Sequence, residues 1–173
     1  GARHQYLDEI RFVPVPDPNT RVEAAVSGQY DYVDSIPVES FDKVKSSSAS
    51  QPLMLKPFGF PVFVFNTKEG LSSKLEVRKA VAEALNTEDM LAAAFGSTEF
   101  YALDGAYYPD NFSWHTEEGV EGNYNVGNPE AAAEKLKAAG YNGEPIVLLV
   151  PGDNVVLNAF ASVVEPRLRE GGL

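Results

Sequence analysis

The residues able to do chemistry are few. Cysteine is absent, so disulfides and thiolate metal sites are excluded. The histidines, His4 and His115, stand far apart, and His4 is near the N-terminus, so a histidine metal cluster is not expected. A nucleophilic triad needs a histidine within reach of an activated serine. Only His115 could serve, and no serine lies in a Gly-x-Ser-x-Gly elbow. Paired carboxylates could act as acid and base, but Glu117-Glu118 and Glu88-Asp89 are adjacent in sequence. Helix neighbours do not face one another, and such pairs on loops are ordinarily solvated. No glycine-rich phosphate cradle is present. Asp8, Glu9, Asp31, Asp34 and Asp104 do not fall at a calcium-loop spacing. The reading is a chain with no catalytic residues, no metal ligands and no cofactor.

One constellation has functional weight. Phe100, Tyr101, Tyr107, Tyr108, Phe112, Trp114 and Tyr124 fall in a stretch from Ser97 to Gly127 that lacks helical or strand periodicity. A connection of that length is usually functional or packs over a core. Tyrosine and tryptophan offer flat apolar faces with a polar handle, which suits a ligand pocket. The competing reading is that the rings cover the neighbouring helices.

The elements that must position this loop alternate between strand-like and helix-like segments, the pattern of an α/β protein. Ile10–Val15, Tyr30–Val33, Pro52–Phe58, Phe60–Phe65 and Pro145–Val150 read as strands. A helix is expected from Asn19 or Thr20, where Thr20-x-x-Glu23 has capping-box spacing, to Gly28. Val38–Lys45 reads as a short helix burying Phe41 and Val44. The strongest helix is expected over Lys74–Leu85, with Ser73-x-x-Glu76 as capping box and Val77, Ala80, Val81, Ala84 and Leu85 on one face. Asn86 or Thr87 opens the next, ending at Gly96 with Met90, Leu91, Ala94 and Phe95 inward. Asn128-Pro129-Glu130 opens another, ending at Gly140. Asn154–Glu170 has helical spacing, with Pro166 expected to kink or break it at about 3 kcal/mol.

Composition bounds the partners. Hydrophobic residues make up 44% of the 173, enough for a core. The net charge of −11, from 25 acidic and 14 basic residues, argues against a nucleic-acid partner. No apolar run approaches the roughly 18 residues of a membrane helix, and no signal peptide is visible.

Tyr6-Leu7-Asp8-Glu9-Ile10-Arg11-Phe12, Val15-Pro16-Asp17, Thr20-Arg21 and the run from Ala25 to Val33 begin an ordered set of motifs that resembles the family 5 solute-binding proteins, which include dipeptide- and oligopeptide-binding proteins. It continues through Phe65-Asn66-Thr67, Glu76-Val77-Arg78-Lys79-Ala80-Val81 and Asn86–Phe95. It ends in Tyr124-Asn125, Asn128-Pro129-Glu130-Ala131-Ala132 and Leu136-Lys137-Ala138-Ala139-Gly140-Tyr141. Each motif alone is weak; the ordered set spans essentially the whole chain.

The resemblance implies an α/β fold of the periplasmic-binding-protein class II type, with truncated lobes. Residues 1–57 would be part of the first lobe, and 58–173 the start of the second. It implies a peptide-type or other small solute held in an interlobe cleft, an ABC permease as membrane partner, and a monomer. The setting would be periplasmic or extracellular, with lipid anchoring in the full-length parent as one option. The cleft candidates are Phe60 and Asn66, flanking the hinge strand, and Tyr107, Tyr108 and Trp114 on the long loop. Arg78 could anchor a carboxylate, but its helix position better suits a structural ion pair. Parts of the family pattern are missing before and after this chain, so a fragment is expected. Rival readings are nickel complexes or sugars as ligand, a hydrolase domain with an aromatic lid, and a sensor module on the same fold.

Overall fold

The structure is a computed structural model that describes residues 4–56 and 59–173. The chain divides into two compact units, Gly1–Met54 and Leu55–Leu173.

In the first unit, α1 (Pro18–Ser27) packs with α2 (Phe41–Lys45), which follows a 3-10 turn at Val38–Ser40. Asp17 caps α1, its carboxylate accepting from the Thr20 amide at 2.7 Å and the Thr20 hydroxyl at 2.7 Å. The helix thus begins before the Thr20 capping box, because Asp17-Pro18 supplies the stronger cap and a proline pre-set for the first turn. Gly28 ends it in the left-handed region, at φ 68°. Val22, Ala25 and Val44 form the small core, with Val26, Val33 and Ile36 packed against it. Phe41 is only half-buried.

The second unit is built from α3 (Leu75–Ala84), α4 (Thr87–Phe95), α5 (Pro129–Ala138) and α6 (Val155–Glu170). α3 packs mainly on α5, and α4 on α6. Val77, Ala80, Ala84, Ala132 and Leu136 make one core cluster; Val81, Leu85, Met90, Leu91, Phe160 and Val164 make the other. Leu168 and Leu173 pack against both. The apolar face read from the α3 sequence is therefore shared between two partners, its alanines allowing close approach to α5. Asn86, Asn128 and Asn154 cap α4, α5 and α6, accepting from the amides of Asp89, Ala131 and Leu157 at 3.0 Å each.

Two local expectations change. Ser73 does not cap α3: it lies in a 3-10 turn, Leu71–Ser73, and its hydroxyl donates to the Gly70 carbonyl at 2.6 Å. α6 runs unbroken through Pro166 to Glu170. Pro166 and Ser162, whose carbonyl loses its intrahelical partner, are both exposed, so water can satisfy the freed group.

The expected α/β architecture is not present among the described residues, which contain helices and turns but no strand. Ile10–Val15, Tyr30–Val33, Phe60–Phe65 and Pro145–Val150 carry no ladder, nor does the described part of Pro52–Phe58; its Pro57 and Phe58 lie outside the described residues. Apolar alternation suits a segment to a sheet, but a strand exists only where a neighbour exchanges backbone hydrogen bonds with it. These segments make no such exchange among the described residues. Val33 and Phe65 pack against the core clusters, but many of the other apolar side chains stay in solvent, as at Phe12 (92% exposed), Val64 (91%) and Leu149 (89%).

Candidate functional site: the aromatic loop between α4 and α5

The loop from Ser97 to Gly127 leaves α4 at Gly96 and returns to the start of α5. Its far end is pinned to the α3–α4 junction. The Gly127 amide donates to the Leu85 carbonyl at 3.0 Å, and the Asn128 amide to the Glu83 carbonyl at 2.7 Å. The Asn125 side chain, on a residue at φ 55°, accepts from the Glu88 amide at 3.1 Å. Near the α4 end, Lys56 donates to the Glu99 carbonyl at 2.7 Å. The Tyr124 phenol is partly buried, which pushes its pKa up, against opposing hydrogen bonds to Thr87 and to the Asp104 backbone.

Within this frame the rings divide into two sets. Tyr101 packs on Phe95 at a centroid distance of 6.4 Å, and both cover the α4–α6 core. Three more gather around Tyr108: Tyr107 at 5.0 Å and Trp114 at 5.4 Å, both edge-on, and Phe112 at 6.2 Å, tilted. Trp114 is 73% exposed and Tyr107 80%. Rings this large and this exposed are not serving as core.

His115 orders the same loop. Its Nδ1 lies 2.8 Å from the Tyr108 carbonyl oxygen, and its Nε2 lies 3.0 Å from Glu117 Oε1. The Tyr108 carbonyl, with the Glu117 and Asp104 carboxylates adding to it, raises the ring's pKa above its ordinary value. Asp104 turns the preceding chain, accepting from the Ala106 amide at 2.9 Å and the Asp110 amide at 3.2 Å. Ligand atoms of Asp104, His115 and Glu117 lie within 4.8 Å of one another. The sequence reading passed over this group, since residues 104, 115 and 117 match no spaced motif. The one available hint was a histidine and a carboxylate two residues apart in the aromatic loop.

The cleft candidates therefore fall in two places. Tyr107, Tyr108 and Trp114 form one ring cluster. Phe60 and Asn66 lie on the segment before α3, and no ring pair of the described residues joins Phe60 to that cluster. Phe60 is 63% exposed. Asn66 is committed to a turn: its Oδ1 accepts from the Lys68 amide at 3.1 Å and the Glu69 amide at 3.2 Å. Its carbonyl accepts from the Ser72 hydroxyl at 2.9 Å. Its side-chain NH2 makes no hydrogen bond among the described residues. Arg78 makes no ion pair among the described residues; its guanidinium donates through Nη1 to the Ser72 and Ser73 carbonyls, both at 2.9 Å, closing the 3-10 turn.

Comparison with known proteins sets this loop in context. The family model of bacterial extracellular solute-binding proteins, family 5 (middle part), matches residues 1–173, the whole chain. The chain belongs to that family. Two curated proteins are similar to it. A probable peptide ABC transporter periplasmic-binding protein of Sinorhizobium fredii is 24% identical over 176 residues, covering 100% of this chain and 33% of the relative. The nickel-binding periplasmic protein of Escherichia coli is 23% identical over 183 residues, covering 96% of this chain and 34% of the relative. The family 5 chain described here thus spans about a third of the length of these relatives. Among its described residues, no helix is long and apolar enough to cross a membrane.

Proposed function

We propose that this family 5 chain is part of the extracytoplasmic solute-binding component of an ABC import system. It captures a peptide-type solute in a cleft between two lobes and is not an enzyme. The observation that carries the reading is the exposed ring cluster of Tyr107, Tyr108 and Trp114, fixed on a loop tied down at its far end. Flat apolar faces with polar edges hold a peptide's side chains without demanding one sequence. Phe60 and the free NH2 of Asn66 contribute from the segment before α3. The lobe boundary near residue 57 and the class II α/β architecture belong to the same reading. The unpaired apolar segments around Phe12, Val64 and Leu149 are suited to strands once neighbours are supplied. Ligand would stabilise a closed clamp that the permease recognises. The component would act as a monomer outside the cytoplasmic membrane.

A nickel complex is the second reading, and the name of the Escherichia coli relative favours it. A thermal-shift screen of the complete gene product against di- and oligopeptides, sugars and nickel chelates separates the two. A ligand that binds only the native state at 100 times its Kd adds about 2.7 kcal/mol of stability. Peptides are expected to raise Tm, and Tyr108→Ala with Trp114→Ala to abolish the rise. A rise with nickel chelates alone moves the reading to metal complexes. A full peptide-induced rise in the double variant removes the ring cluster from the cleft. Peptide hydrolysis that His115→Ala abolishes would make the protein an enzyme instead.

A further inference from the structure

His115 is placed in a way that a neutral imidazole cannot satisfy. Both ring nitrogens face acceptors, the Tyr108 carbonyl oxygen at 2.8 Å and Glu117 Oε1 at 3.0 Å. A neutral ring has one N–H and one lone pair. If Nδ1–H donates to the carbonyl, the Nε2 lone pair points at a carboxylate oxygen. A proton at this contact, or a metal cation between the nitrogen and the oxygens, satisfies both partners.

We propose that Asp104, His115 and Glu117 form a binding site for a divalent first-row transition cation such as Zn2+ or Ni2+. The ring is prepared for this role: a carbonyl on Nδ1 fixes the tautomer and orientation and leaves Nε2 as the ligand, the outer-shell arrangement of metal-bound histidines. Asp104 is held in place by the amides of Ala106 and Asp110, which leave lone pairs on both oxygens. Glu117 is the adaptable member, with its side chain 71% exposed. The ligand atoms now lie within 4.8 Å of one another. A cation bonded at about 2.1 Å holds its ligand atoms roughly 3–4 Å apart, a spacing that His115 Nε2 and Glu117 Oε1 already have at 3.0 Å. One imidazole and two carboxylates suit Zn2+ or Ni2+ better than Mg2+ or Ca2+, which take oxygen ligands only. Coordination positions remain for water or for a donor from a bound molecule. The site is separate from the solute reading: it needs no cleft, and it draws only on residues 104–117.

The test is calorimetric titration of the 173-residue chain with Zn2+, with Mg2+ as control. Ni2+ quenching of Trp114, the only tryptophan and the neighbour of His115 in sequence, supplies a local readout. One Zn2+ per chain is expected, with no Mg2+ binding. His4→Ala, which removes the other histidine, should leave affinity and quenching unchanged. His115→Ala and Glu117→Gln should each weaken Zn2+ about 10-fold or more, since even losing an outer-shell partner costs that much. Glu117→Gln keeps an exposed side chain of the same size, so its result does not depend on a variant that fails to fold. Absence of Zn2+ binding below about 1 mM, loss of binding in His4→Ala, or undiminished affinity in Glu117→Gln would each overturn the proposal and leave a proton as the charge on Nε2.

Discussion

Gly105 lies directly against the ring of Tyr124. A β-carbon on Gly105 would fall 2.7 Å from Tyr124 Cγ, 2.8 Å from its Cδ1 and 2.6 Å from Val120 Cγ1. The glycine is required by space. Tyr124 is tied through its hydroxyl to Thr87 on α4, so the contact joins the start of the loop to the helix beneath it. Gly105→Ala is expected to cost about 1–3 kcal/mol, the range for overpacking, and to lower amide protection across residues 97–127 more than in α5. Hydrogen exchange followed residue by residue checks this. Protection that stays uniform would mean Tyr124 has moved aside at no cost.

Leu136 is the largest side chain of the α3–α5 core, 2% exposed and packed among Val77, Ala80, Ala84 and Ala132. Three of the four buried residues around it are alanines, which cannot swing into a void. Leu136→Ala is expected to cost about 2–5 kcal/mol. Urea unfolding followed by circular dichroism should show a lower midpoint with an unchanged slope. A loss below about 1 kcal/mol would mean that α3 and α5 close over the gap.

Asp17 gives the first unit a dependence on acid. Hydrogen bonds from the Thr20 hydroxyl and amide, with Arg21 nearby, hold its carboxyl below its ordinary pKa of 3.8. A carboxyl with a lowered folded pKa stabilises the helix above its unfolded pKa, and that contribution is lost as pH falls through the folded value. Amide protection in α1, corrected for the intrinsic exchange rate, should therefore fall below about pH 4 in the wild type, and change less with pH in Asp17→Asn, which keeps a capping oxygen without the charge. The same loss of protection in both proteins would place the acid-sensitive group elsewhere.

The sequence by itself determined what depends on neighbours within a turn or two. Asn86, Asn128-Pro129 and Asn154 start their helices because the capping oxygen and the amides it serves lie three residues apart. The α3 face was legible because helical spacing alone puts Val77, Ala80, Val81, Ala84 and Leu85 on one side. Where two local signals competed, as with Asp17 against Thr20, position relative to proline settled the cap. Tertiary structure decided what depends on distant partners. Strands suggested by alternation at Phe60–Phe65 and Pro145–Val150 do not form among the described residues, since pairing is a relation between segments. The meeting of Asp104, His115 and Glu117, and the gathering of Tyr107 and Trp114 around Tyr108, come from how one long loop folds back on itself, which no periodicity encodes.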